Sequence, residues 1–456
     1  MVKKQIKKIF DLFWKNKILI LIAILGLFLR LYHLPNSINF SWDQERDAFT
    51  IKQMLVEKKP VLIGPRVVND NGFMLGPYFF YILLPFYLIT NLSPYATILF
   101  IAIYNLIFLI SSFLIIKKIF SQKIAYFFVF IWSVSPLAIY IDTIAWNPLL
   151  VPFLFIFLLY LLKTLNFNKI KNWLILGFYL GFSFNIHVQL AILSFITIIF
   201  LFIKIPKNIF FKKIIFLLFG FIISFLPLII FDLRHNFLNL NLFLNFFQNN
   251  PFPKDYFSFI SVWANYVFSA FSVKSQNLSI IFWLAILISL FILGKKNIFN
   301  KTLFFTWIFF PIIFIIYGQR PSEYYFNFCL PIIVLVFSQI ISNLKINKKI
   351  IILICFLISI YSIYSKCKQD HLASFSLANK TIVVKHIKNT VGDQKFNLSY
   401  SVSGGQNSGF SYLLDFYKIK PSGDPNDSLI QIVIPAQNRY KSFGDISIDF
   451  PFPFNQ

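Results

Sequence analysis

Four charged residues fall within five positions of the segment SWDQERDAFTIKQMLVEKK: Asp43, Glu45, Arg46 and Asp47. Their types suit proton transfer, because a carboxylate can take the proton of an attacking hydroxyl. On a helix, i,i+3 and i,i+4 spacing puts Asp43, Arg46 and Asp47 on one face. A solvated face with an internal ion pair has the same pattern, since surface pairs are common and weak. Two further carboxylates, Asp142 and Asp232, lie at the ends of apolar runs. There they are costly unless paired, capping a helix or functional. Cations stand near the same boundary: Arg66, Arg234 with His235 in FDLRHNF, and Arg320 in YGQRPSEYYFN. Such groups can grip a phosphate or simply snorkel to the interface. His187, in NIHVQL, falls at a turn between two short apolar runs, where a buried packing role is the plainer alternative. Tyr81, Tyr324 and Arg46 complete the residues expected near a cavity. No cofactor is required by these residues, although Asp43, Glu45 and Asp47 with Asp142 could hold a hard divalent cation.

The elements that position these groups are membrane spans. Hydrophobic residues make up 58% of the 456-residue chain and charged residues 13%, against about 25% charged in a typical soluble domain. The mean hydropathy is +0.72. The net charge of +25 would suit nucleic acid, but its distribution excludes that reading. Connections 1–17, 117–123, 163–171, 204–213, 295–301 and 345–349 hold 22 Lys/Arg and one acidic residue, Asp11. This alternation is the positive-inside bias, and it makes those connections cytoplasmic. The expected spans are about 16–33, 95–116, 123–141, 147–164, 172–187, 188–204, 213–231, 278–294, 302–318, 323–342 and 348–365. The first has no small-residue cleavage site and reads as an uncleaved span. Segment 74–91 is apolar but interrupted by Pro85, and counting it as a span would put every later basic connection outside. It is therefore read as interfacial or re-entrant.

The expectation is an all-α polytopic protein of about eleven transmembrane helices plus juxtamembrane helices, in the cell membrane with a cytoplasmic N-terminus. Residues 1–365 form the membrane domain, with outer loops 34–94 and 232–277. Interfacial helices are expected near 237–248 and 256–271. Residues 366–456, with ten Lys/Arg and seven Asp, read as a small extracytoplasmic α+β domain with a helix near 372–390 and strands near 396–402 and 429–434. Cys329, Cys355 and Cys367 have no metal or disulfide spacing. The Gly-rich SGGQNSG lacks the Lys-Ser/Thr ending of a phosphate loop.

On these residues the sequence resembles the GT-C-fold glycosyltransferases, the class of the protein O-mannosyltransferases and the aminoarabinose transferase of lipid A. The resemblance is carried by WDQERDA after the first span, by GPYFFYILLPF, and by SPLAIYIDTIAWNP at the end of the third span. Gly177 and Gly181 in one span, and the late segment YYFNFCLP, add to it. The family pair is usually Asp-Glu; here Gln44 separates Asp43 from Glu45. The resemblance implies an inverting transfer of a sugar from a polyprenyl-phosphate donor to an acceptor hydroxyl on the outer face. Asp43 would be the general base, with Asp142, Glu45 and Asp47 as supporting carboxylates. Arg66, Arg234, His235 and Arg320 would hold the donor phosphate. Partners would be the lipid-linked sugar, membrane lipid, and a glycan, lipid or protein acceptor. A flippase or transporter would place charges within spans near the midplane, and these spans are almost free of them. A polysaccharide polymerase or ligase usually carries its large outer loop late in the chain. A non-catalytic relative is the third alternative.

Overall fold

Long runs of Leu, Ile and Phe, with few charges and few helix breakers, fold as helices because lipid offers backbone groups no other partner. The structure, a computed structural model, describes residues 16–67, 72–248, 255–271, 276–318, 320–368, 373, 376–424, 427–437 and 441–449. Most of the basic segment 1–17 lies outside these residues. The helices are α1 (Lys17–Leu31), α2 (Leu34–Ser37), α3 (Trp42–Glu57), α4 (Tyr78–Ile89), α5 (Ala96–Ile119), α6 (Gln122–Val134) and α7 (Pro136–Asp142). There follow α8 (Val151–Thr164), α9 (Ile170–Ile186), α10 (Ala191–Lys204), α11 (Lys207–Ile223), α12 (Leu226–Arg234) and α13 (Leu238–Gln248). The last of the membrane region are α14 (Ser258–Phe271), α15 (Gln276–Gly294), α16 (Ile298–Tyr317), α17 (Cys329–Asn343) and α18 (Lys348–Lys368).

Among the described residues, five helices are long and apolar enough to cross a membrane: α5, Asn147–Thr164, Asn277–Gly294, Ile298–Ile316 and α18. The pairs α6/α7 and α11/α12 bend by 74° and 59°, and counting each as one span gives seven. The chain is a multi-pass membrane protein, but helix length does not establish eleven crossings. Helices α1, α9, α10 and α17 have 15, 17, 14 and 15 residues. At 1.5 Å per residue these reach roughly 21–26 Å, short of the roughly 30 Å hydrocarbon core. Helix α4, 12 residues long, is shorter still. Helices α13 and α14 occupy the places expected for the two helices of the second long loop.

Close packing rests on small residues. A Cβ at Gly177 would lie 1.9 Å from the Leu217 carbonyl oxygen, and one at Gly220 would lie 2.2 Å from that of Leu174. The α9/α11 crossing therefore needs glycine on both sides. Helix α18 has no buried residue, as suits an apolar helix facing lipid.

The C-terminal unit adds α19 (Leu377–Val391), β1 (Phe396–Ser401), α20 (Phe410–Phe416), β2 (Ser428–Val433), β3 (Lys441–Phe443) and β4 (Ile446–Asp449). The sheet order is β1-β2-β4-β3. Strands β1 and β2 are parallel, with α20 in the crossover. Strands β3 and β4 form a hairpin closed by Gly444 and Asp445, with Phe443 opposite Ile446.

Candidate active site

Helix α3 carries the acidic cluster. Its start is fixed by a capping box: the Gln44 side chain accepts from the Ser41 N–H at 3.1 Å, while Ser41 answers the backbone of the first turn. The other end of the Gln44 amide donates to the Ala145 carbonyl at 3.2 Å. The residue that separates Asp43 from Glu45 therefore ties α3 to the connection after α7. Arg46 lies between two carboxylates, donating to Asp43 Oδ1 at 2.8 Å and to Asp47 Oδ1 at 2.9 and 2.6 Å. The shared face expected for these residues is present. Asp43 has 38% of its side chain exposed and Asp47 1%, so of the two carboxylates that Arg46 joins, Asp43 is the one open to solvent.

Burial pushes the Asp47 carboxyl up to about 7, more than Arg46 pulls it down. For Arg46, burial opposes the charge, but Asp47 and Asp43 outweigh it and raise the pKa. For the pair, the direction that decides pH behaviour is the rise at Asp47, whose Oδ2 is buried without a partner. The folded pKa lies above the value of about 3.9 in an unfolded chain. The contribution of Asp47 is then complete below about pH 4 and lost as pH rises through about 7. Thermal unfolding of the purified protein should accordingly show a falling melting temperature across pH 5–8. Asp47→Asn should flatten that slope; an unchanged slope would remove Asp47 as its source.

Glu45 points away from Asp43 and accepts from the Tyr412 N–H of α20 at 2.9 Å. It belongs to the contact between α3 and the C-terminal unit. Lys52 pairs with Asp415 there, and Tyr412 donates its hydroxyl to the Leu92 carbonyl at 2.7 Å. Lys380, fully buried, donates to the carbonyls of Phe40 and Ser408 at 3.0 and 2.6 Å. Burial lowers its pKa to about 8.

Asp142 is fully buried and lies within the bundle. Its Oδ2 accepts from Arg30 Nε at 2.9 Å, Arg30 Nη2 at 2.7 Å and Trp132 Nε1 at 2.8 Å. Arg30 also donates to the carbonyls of Gly26, Ser133 and Trp132 at 3.0–3.1 Å. All five guanidinium N–H groups are thereby used. Pro136 has no N–H to offer Trp132, and the break after Val134 leaves the Ser133 carbonyl unpaired too. Arg30 supplies both missing donors. The close approach of α1 to α6 requires Gly26, where a Cβ would lie 2.7 Å from Ser133 Oγ. The carboxylates that could hold a cation, Asp43, Glu45, Asp47 and Asp142, each have another partner. Asp142 is held by Arg30, Glu45 by Tyr412, and Asp43 and Asp47 by Arg46. Among the described residues no three His, Cys, Asp or Glu side chains gather in a way that could hold a metal ion.

The four cationic candidates are dispersed. Arg66 donates Nε to the Gly72 carbonyl at 2.8 Å, within a ladder joining 64–67 to 73–75. Tyr81 donates to the Val61 carbonyl and fixes the same loop. Arg234 and His235 are exposed at the end of α12, with His235 stacked on Phe231. Asp232 caps α13, accepting from the Asn239 and Leu240 N–H groups at 2.7 and 3.2 Å. Arg320 is exposed just ahead of the turn Glu323–Phe326 that carries Tyr324. Tyr324 lies near enough to Asp43 to feel its charge. His187 is buried against Tyr324 and Tyr325, with ring centroids at 5.5 and 5.7 Å. Its Nδ1 accepts from the Gln189 N–H, so that nitrogen carries no proton and the ring is neutral. Trp146 stands 5.0 Å from Tyr324. Asn185 borders a cavity of about 340 Å³ together with Phe73, Phe184, Phe225, Leu228 and Phe243.

Residues 75–231 match the family model described as dolichyl-phosphate-mannose-protein mannosyltransferase. No curated protein matches the sequence. Among solved structures, the fold is similar to that of ArnT from Cupriavidus metallidurans bound to undecaprenyl phosphate. The TM-score is 0.58 at 10% identity, covering 92% of this chain and 93% of that one. It is also similar to the Archaeoglobus fulgidus oligosaccharyltransferase in the apo form, with TM-score 0.54 at 12% identity over 91% of this chain and 65% of that one. A complex of that archaeal enzyme, AglB, with an inhibitory peptide and a dolichol-phosphate gives 0.50 at 10% identity, over 93% and 70% of the two chains. The chain is thus a membrane protein of GT-C fold, and its resemblance to the polyprenyl-phosphate-dependent glycosyltransferases holds in fold over 92% of its length and in sequence over 75–231.

Proposed function

We propose that this protein transfers a sugar from a polyprenyl-phosphate carrier to an acceptor hydroxyl on the outer face of the cell membrane, with inversion. The observation that carries the reading is Asp43: a half-exposed carboxylate oriented by Arg46, on a helix clamped between the bundle and the C-terminal unit. In the reaction, the acceptor oxygen attacks the anomeric carbon as its proton passes to Asp43. The bond from that carbon to the phosphate oxygen breaks, and polyprenyl phosphate leaves with the electron pair. One displacement without a covalent intermediate inverts the anomeric centre. The leaving phosphate needs positive charge more than a proton donor. Arg320, beside the Tyr324 turn, is the cation best placed for it, and Arg234 and His235 stand at the lipid boundary where a carrier would approach. The apolar cavity beside Asn185 suits isoprenoid units. Asp142 serves by holding Arg30 and the α6/α7 bend, and Glu45 by docking the C-terminal unit against α3.

The orientation follows the lysine-rich connections: these face the cytoplasm, and α3 and the C-terminal unit face outward. The test is turnover of radiolabelled mannosyl-, glucosyl- and aminoarabinosyl-phosphoryl-undecaprenol in vesicles holding the purified protein, with cell-envelope material as acceptor. Loss of label from at least one carrier is expected. No consumption above empty vesicles for any of the three would reject the reading.

A further inference from the structure

Buried hydrogen-bonding groups without partners stand on two connections, at Trp146 and Gln189, the first of which is tied to the helix of Asp43. Gln189 is 7% exposed, and neither its amide oxygen nor its amide nitrogen has a partner. Trp146 Nε1 is buried without one as well. Other buried amides of the bundle differ: Asn105 and Asn185 each donate their nitrogen to backbone carbonyls and leave only an oxygen unused. Among the described residues of the helical bundle, Gln189 is the one buried amide with both ends unpaired. Native folds leave few such groups, because each loses its water without replacement.

The surroundings say what would complete them. The Asn147 amide donates to the Ile186 carbonyl at 2.7 Å, which joins the Trp146 connection to the Gln189 connection. Gln44 ties the first of these to the helix of Asp43. The rings of Trp146, Tyr324 and His187 line up at 5.0 and 5.5 Å between centroids. A neutral His187 brings no positive charge, and a Gln oxygen repels an anion, so the ligand is not a phosphate. An amide offers one acceptor and two donors, which match neighbouring hydroxyls that each donate and accept. Aromatic faces give an apolar wall for the C–H side of a sugar ring.

We infer that Gln189 and the Trp146 indole form a carbohydrate subsite beside Asp43, holding the sugar of the lipid-linked donor through its hydroxyl groups. This rests on the transferase reading above and adds the residues that select the sugar.

The subsite is tested by binding, without acceptor. Dissociation constants are measured for undecaprenyl phosphate and for mannosyl- and glucosyl-phosphoryl-undecaprenol, using the purified full chain in nanodiscs. Gln189→Met keeps the side chain's length without its amide, and Trp146→Phe keeps an aromatic ring without the N–H. The wild type should bind at least one sugar-loaded carrier more tightly than the bare one. Each variant should lose roughly tenfold of that preference, on the scale of one hydrogen bond, with bare-carrier affinity unchanged. The ligand-free melting temperature of Gln189→Met should hold or rise, because an unpaired amide is removed. If both variants keep the preference for sugar-loaded carrier, the assignment is wrong, as it would be for a site that takes an acceptor sugar. Equal binding of loaded and bare carrier by the wild type also overturns it. So does a fall in melting temperature with loss of bare-carrier binding, which marks a structural role. Failure of the wild type to bind even the bare carrier is a separate result: it removes the transferase reading and the subsite with it.

Discussion

Asp43→Asn should slow sugar transfer by about 10²–10⁴-fold, the usual effect of losing a general base, while carrier binding stays near that of the wild type. Asn is nearly the same size and can still accept from Arg46, so the α3 surface should stay in place. It cannot take the acceptor's proton at neutral pH. Single-turnover rates with a labelled donor isolate this step, and the two carboxylates beside it serve as controls. Asp47→Asn should alter the pH dependence of stability more than the rate, because its carboxylate is buried behind Arg46. Wild-type turnover in Asp43→Asn would remove Asp43 as the base.

The second large effect belongs to stability. Arg30→Met or Asp142→Asn should each destabilise the protein by about 3–5 kcal/mol, the range for removing one partner of a buried ion pair. Arg30→Met also strands the Trp132 and Ser133 carbonyls at the α6/α7 break. Arg30→Lys should rescue little, because an ammonium has three donors on one point where the site uses five in a planar fork. The double variant Arg30→Met/Asp142→Leu should recover part of the loss, since no unpaired charge remains. Resistance to thermal aggregation in detergent would read all four. Additive losses in the double variant would show that the two residues do not act as a pair.

What can be read in the chain and what cannot divide along sequence distance. Asp43, Arg46 and Asp47 lie within one helical turn, so spacing alone places them on one face. Ser41-x-x-Gln44 is a capping-box pattern, legible in the residue types themselves, and it explains the Gln that interrupts the family's acidic pair. The β3/β4 hairpin is equally open to reading, from alternating residues on either side of Gly444-Asp445, although only two strands are expected in that domain. Asp142 stands out by its position, but its partner does not. Arg30 is 112 residues away and resembles any snorkelling Arg near a helix end. Gln189 and Trp146 carry no local signal, since being unpaired is a property of the assembled bundle. The number of crossings is hardest to fix. Short and bent helices such as α6/α7 do not fill the bilayer one residue run at a time.

The Arg30–Asp142 clamp also sets an order of events during synthesis. Helix α1 is made with its arginine in place, but the carboxylate that meets it comes 112 residues later. At about 5–20 residues per second, Arg30 waits on the order of ten seconds before its partner exists. Through that interval the first span can settle only where water or lipid headgroups reach the guanidinium. The arginine acts as a float, holding the helix end at the interface until the bend at Pro136 arrives to cover it.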